Sequence, residues 1–145
     1  MKKLGHAALV LFILAGVMSG QAGSSPEKEI RAVLDSQQAA WNRGDIEAFM
    51  AYYWKSDDLT FQSGNARTRG WTEVLARYKK TYPPDKMGVL EFSDLAIHVL
   101  AADSAFMLGR FKLNRAGSTS EGVFTLILRR IGEGWRIVHD HTSSK

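Results

Sequence analysis

The chain of 145 residues has no cysteine, so disulfides, thiolate metal sites and a lipidated N-terminal thiol are all excluded. It also has no Gly-rich phosphate loop, no zinc-finger spacing, no heptad run and no internal repeat. Excess charge of one sign is missing too. Lys2 and Lys3 lie in an N-terminal leader that holds no acid; without them 17 basic residues face 15 acidic ones, a net of +2 in place of +4. The basic residues are interspersed with acids rather than gathered in a stripe, so no nucleic-acid footprint is expected. Proline is scarce. Its three occurrences, Pro26, Pro83 and Pro84, fall where helices start or stop.

What is present begins with that leader. Lys2 and Lys3 form a positive n-region, Ala7 to Val17 an apolar run, and Gly20 with Ala22 supply the small residues a signal peptidase needs. The apolar run is too short for a membrane span. Residues 1–22 are therefore expected to be a cleaved signal peptide, and the mature protein periplasmic or secreted, with no membrane attachment. The remainder, 23–145, is expected to be one domain of about 120 residues, enough to bury a core unaided.

Pro26, Glu27 and Glu29 favour a helix start, and Ile30, Val33, Leu34, Gln37 and Trp41 then share one face. Gln37 is the polar member, either a core amide with a partner or part of a pocket wall. Gly44 ends this helix and Asp45 caps a second, reaching about Tyr53 and burying Ile46, Phe49, Met50 and Tyr53. A short strand is expected at Leu59 to Ser63, then a loop through Gly64, Asn65 and Ala66. A third helix over Trp71 to Tyr82 places Trp71, Val74, Leu75, Tyr78 and Tyr82 on one side.

From Val89 the period becomes strand-like: Leu90 and Phe92, then Leu95, Ile97 and Val99. In the next strand, Ala105 to Asn114, Phe106, Leu108 and Arg110 share one face and Met107, Gly109, Phe111 and Leu113 the other. Arg110 is a pocket-wall cation if its face is inward and a surface arginine if outward. Strands over Val123 to Arg130 and Gly134 to Ser144 complete a long antiparallel sheet. In the last strand, strict alternation groups Trp135, Ile137, His139 and His141 against Arg136, Val138, Asp140 and Thr142, without fixing which set faces inward. His139, Asp140 and His141 are the candidate catalytic residues. No metal site is expected, because two same-face imidazoles lack a third ligand and Asp140 points away from them. No cofactor is expected either.

Helices first and long strands after make an α+β domain, three helices covering one face of a curved sheet like a cone with a pocket inside. Four stretches carry a family likeness: WNRGDIEAF from Trp41, the pair Gly70 and Trp71, IHVLAADSAF from Ile97, and RRIGEGWRIVHDHTS near the end. In their order and spacing the chain resembles the nuclear transport factor 2-like superfamily. Its SnoaL-like bacterial members and the association domain of calcium/calmodulin-dependent protein kinase II are the nearest in kind. The resemblance implies the cone-shaped fold and a homodimer through the sheet. It matches the kinase hub's pocket arginine with Arg110 and its strand-end histidines with His139 and His141, while a second hub arginine falls at Thr125. In the ketosteroid isomerase branch the tyrosine acid falls near Gln37 and the aspartate base near Gln62 or Ser63, so that chemistry looks absent.

The fold hosts many functions, so three readings stand. One is a pocket protein that binds a small carboxylate-bearing or aromatic ligand through Arg110, Tyr53, Trp41, Trp71, Phe61 and Gln37. Another is a cyclase, isomerase or dehydratase, with Asp140 or a histidine as general base and Tyr53 or Arg110 at the developing oxyanion. The third is a ligand-free homo-oligomerisation module.

Overall fold

The first two helices begin at side-chain caps, and the third follows Gly70, which has no side chain to cap it. The computed structural model describes residues 24–145; the expected leader lies outside the described residues. Ser25 accepts a hydrogen bond from the Lys28 N–H at 3.4 Å, and Pro26 opens α1, Pro26–Asn42, on which Ile30, Val33, Leu34, Gln37 and Trp41 are all buried. Gly44, at φ 79°, makes the corner that an L side chain would strain. The Asp45 carboxylate then accepts from the Ala48 N–H at 2.9 Å and starts α2, Ile46–Met50. The second helix is a single turn. Its expected continuation to Tyr53 is replaced by an extended crossing in which Tyr53 bridges Ile137 and the Trp54 N–H donates to the Ile137 carbonyl. The third helix, α3, Trp71–Thr81, stops short of Pro83, and a 3-10 turn at Pro84–Lys86 follows.

Six strands form one sheet: β1 Thr60–Ser63, β2 Ala66–Arg69, β3 Val89–Ala101, β4 Ser104–Arg115, β5 Ser118–Ile131 and β6 Gly134–Ser144, in the order β2-β1-β6-β5-β4-β3. The strand β2 was not expected, because ARTR has no apolar period; only its backbone pairing with β1 across the turn at Gly64 makes it a strand. β1 runs parallel to β6 and every other pair is antiparallel. Helix α1 lies along β3 and is stitched to it: the Asn42 amide donates to the Leu90 carbonyl and accepts from the Leu90 N–H, and Gln38 accepts from the Phe92 N–H. These side chains satisfy β3 groups that would otherwise be free at a sheet edge.

Two of the three register shifts in the sheet reset which residues face the helices; the third lies at the β3–β4 turn, between Val99 and Ala101. The β3 register with β4 shifts between Ser93 and Ala96, with Asp94 at φ 50°, so Leu90 and Phe92 and then Leu95 and Ile97 all pack toward the core. On β6 the register with β5 shifts so that Leu128 pairs with Ile137 and Ile127 with His139, leaving Val138 as the extra residue. Strict alternation therefore fails at Val138. Trp135 and Ile137 are buried before it and Asp140 is buried after it, while His141 is exposed. The expected grouping of His139 and His141 with Ile137 is overturned by this one inserted residue.

Candidate functional site

Between the helices and the concave face of the sheet lies a cavity of about 160 Å³. α1 contributes Leu34, Gln37 and Trp41, the α2 corner Phe49 and Tyr53, and α3 Arg77, Tyr78, Thr81 and Tyr82. The sheet supplies Phe61, Phe92, Phe111 and Phe124 among others, so the wall is largely aromatic. These rings brace one another edge to face: Trp41 against Tyr82 at 4.9 Å and against Phe49 at 5.2 Å, Phe61 against Tyr78 at 5.6 Å, Phe92 against Phe124 at 5.4 Å. Polar groups behind the wall are satisfied by the backbone. The Gln37 amide donates to the Phe49 carbonyl at 3.2 Å and the Trp41 indole to the Met87 carbonyl at 3.2 Å. Gln37 is thus both a partnered core amide and part of the wall.

Into this apolar space projects one carboxylate, that of Asp140, 4% exposed and unpaired with any cation among the described residues. The Tyr53 hydroxyl donates to its Oδ2 at 2.7 Å and the Thr142 hydroxyl to its Oδ1 at 2.6 Å. Burial pushes Asp140 up from an ordinary 3.8 to about 6, and the two hydroxyls, which favour the charged form, only moderate the rise. Tyr53 and Tyr78 are both raised well above the ordinary tyrosine value, first by burial and then by the Asp140 charge, so both remain neutral O–H donors. A carboxylate that titrates near neutrality beside two phenols can give and take a proton on an apolar molecule.

Of the residues singled out from the sequence, Asp140, Tyr53, Trp41, Phe61 and Gln37 meet at this cavity. His139 and His141 do not. The bulge turns them to the outer face, where the His139 Nδ1 lies 2.6 Å from the Thr60 hydroxyl and its pKa is lowered, chiefly by burial and then by His141 and Arg67. Arg110 lies on the outer face as well, 59% exposed and paired with Asp94 at 3.0 Å, so it is no pocket cation. Trp71 is also outside the lining; its indole donates to the Met50 carbonyl at 3.0 Å and ties α3 to α2. Among the described residues no cluster of three His, Asp or Glu is placed to hold a metal.

Sequence reasoning missed Arg77, Tyr78 and Thr142. Tyr78 and Arg77 adjoin on α3, and the helical period marked Tyr78 only as core. Thr142 was set on the Asp140 side of the strand, but nothing local told that this side was the inner one.

The three helices, the bent sheet and the enclosed aromatic cavity define an α+β protein of the nuclear transport factor 2-like fold. A family model described as a SnoaL-like domain matches residues 30–145, and the chain belongs to that family. It is similar over 82% of its length, at 40% identity and a TM-score of 0.79, to an NTF-2 like protein of unknown function from Shewanella oneidensis MR-1, 99% of which is covered. More distant likenesses show the fold alone. A ketosteroid isomerase-like protein from Erwinia carotovora atroseptica SCRI1043 is 21% identical with a TM-score of 0.66, over 81% of this chain and 94% of that one. A putative calcium/calmodulin dependent protein kinase II association domain from Xanthomonas campestris is 16% identical with a TM-score of 0.67, over 86% and 91%. No curated protein matches the chain.

Proposed function

We propose that the protein is a pocket enzyme that moves a proton on a small, largely apolar molecule, an isomerase, cyclase or dehydratase in type, with Asp140 as the acid–base group. The observation that carries this reading is a buried carboxylate, held by Tyr53 and Thr142 and facing an aromatic cavity, that forms no ion pair among the described residues. In the step it supports, an Asp140 oxygen removes a proton from carbon beside a carbonyl, and the electron pair moves to the carbonyl oxygen. The Tyr78 hydroxyl, neutral because burial raises its pKa, is the donor available to that oxygen. Asp140 then returns the proton at another position.

A test needs no knowledge of the natural substrate. Ring opening of 5-nitrobenzisoxazole begins with removal of a carbon-bound proton and is fast with desolvated carboxylates. The native protein is expected to catalyse it with a rate that rises with pH through about 6. Asp140→Asn is expected to lose at least about a hundredfold of that rate. Equal rates for the two proteins would remove Asp140 as the base.

Two further parts of the reading concern the whole protein. Export is supported by Lys2, Lys3 and the apolar run Ala7 to Val17, and an N-terminus beginning at Gly23 in the mature protein would bear it out. Pairing of two copies through the outer face of the sheet is supported by Leu108, Val123 and Ile127, which are 42%, 47% and 42% exposed on neighbouring strands. Charges of both signs flank them, Arg110 with Asp94 and Arg129 with Asp103, as a self-complementary patch requires.

A further inference from the structure

The cavity has an interior and a mouth that differ in chemistry. Among its lining residues Thr81 and Ser144 are exposed, and Ser63, Arg77 and Ser120 are half-buried. These five lie near the ends of α3, β6 and β1 and the start of β5 and give that end of the cavity hydroxyls and one guanidinium; Tyr82, Phe92 and Phe111 of the lining are half-buried as well. Asp140, the only carboxylate in the lining, lies inside.

Arg77 is the only cation in that lining, and it forms none of the seven ion pairs found among the described residues. Its guanidinium lies over the Phe61 ring, 5.1 Å from the centroid, and gives one long hydrogen bond, 3.3 Å, to the Thr68 hydroxyl. Stacking fixes the plane of the group and leaves most of its five donors unused. Outside the lining, Arg115 lies over the ring of Tyr82 at 5.5 Å, with its buried Nε unpartnered.

We infer that the molecule taken into this cavity bears a carboxylate at one end, held at the mouth by Arg77, with its apolar body among the aromatic rings. The charge order requires that orientation. A carboxylate at the interior end would meet Asp140, whereas at the mouth it meets a fixed guanidinium and the Ser63, Thr81, Ser120 and Ser144 hydroxyls. The role that the sequence assigned to Arg110 thus falls to Arg77. The inference rests on the proposal that this cavity is the ligand site.

A matched pair of probes tests it: 3-phenylpropanoate and 3-phenylpropan-1-ol, titrated at neutral pH while the Trp41 indole N–H is followed by NMR. The native protein is expected to bind the carboxylate about tenfold more tightly than the alcohol, the gain of one partly exposed guanidinium–carboxylate pair. Arg77→Gln should bring the ratio to about one by weakening the carboxylate more than the alcohol, and Arg77→Lys should keep part of the preference. Raising ionic strength should shrink the native ratio, which serves as the readout if Arg77→Gln does not fold. A native ratio near one, or a ratio that survives in Arg77→Gln or is insensitive to salt, overturns the inference and leaves the cavity as a ligand site. If neither probe moves Trp41, the cavity reading falls and takes the inference with it.

Discussion

Asp140 is a carboxylate placed where the fold must bear the cost of ionising it. Its folded-state value of about 6 lies above the ordinary 3.8, so the native state holds the proton more tightly than the unfolded chain does. The sign follows. The group favours folding below about pH 4, and that contribution, on the order of 3 kcal/mol, is lost as pH rises through about 6. His139 works the other way, since its lowered value means stability is lost as pH falls below the ordinary histidine range. Asp140→Asn is therefore expected to melt above the native protein at pH 7 and to lose that advantage near pH 4. The difference between the two melting temperatures across pH isolates the Asp140 contribution, because His139 is common to both. A difference that does not change with pH would mean that the carboxylate is solvated. The residue type at 140 was legible in the sequence; its burial was not, because burial depends on a shift two residues earlier.

That shift belongs to the strand. At Val138 β6 changes both of its partners' registers: Ile137 pairs with Tyr53 on one side and Leu128 on the other, whereas His139 pairs with Thr60 and Ile127. One extra residue is accommodated there, and everything after it is turned over. Deleting Val138 would remove the extra residue and restore simple alternation with the native facing, Ile137, Asp140 and Thr142 inward and His139 and His141 outward. The deletion is therefore expected to cost less than about 3 kcal/mol, since the Tyr53–Asp140–Thr142 group stays in the core and only the bulge is lost. Urea unfolding measures this, and loss of the folded state would show that the bulge itself, and not only the facing it sets, is needed. The bulge on β3 shows the contrast. There the apolar pattern itself slips, from Leu90 and Phe92 to Leu95 and Ile97, so the break can be read directly. On β6 the residues around the bulge are Val138, His139, Asp140 and His141, and none of them declares a face.

At the scale of the whole molecule, the sheet has one face under helices and one face bare. On the bare face Leu108 and Val123 sit beside Arg110, and Ile127 sits beside His139. If two copies meet there, Leu108→Asp together with Ile127→Asp should convert a dimer to a monomer in sedimentation analysis, with the far-ultraviolet circular dichroism unchanged. A native protein that sediments as a monomer at every concentration would exclude the pairing. The cavity lies on the opposite face, so the monomeric variant is expected to retain it.

The helical faces, the caps at Pro26 and Asp45, the stops at Gly44 and Pro83 and the strand period after Val89 were all determined locally, because each depends on residues within a turn or two of one another. Those features are enough for an α+β domain and for its family likeness. The strand β2, the parallel pairing of β1 with β6, the facing of His139, Asp140 and His141 and the placing of Arg77 at the cavity and Arg110 on the outer face were decided only by tertiary structure. Each of these depends on backbone pairing between segments far apart in the chain, and side-chain type fixes neither a register nor the direction in which a strand presents its faces.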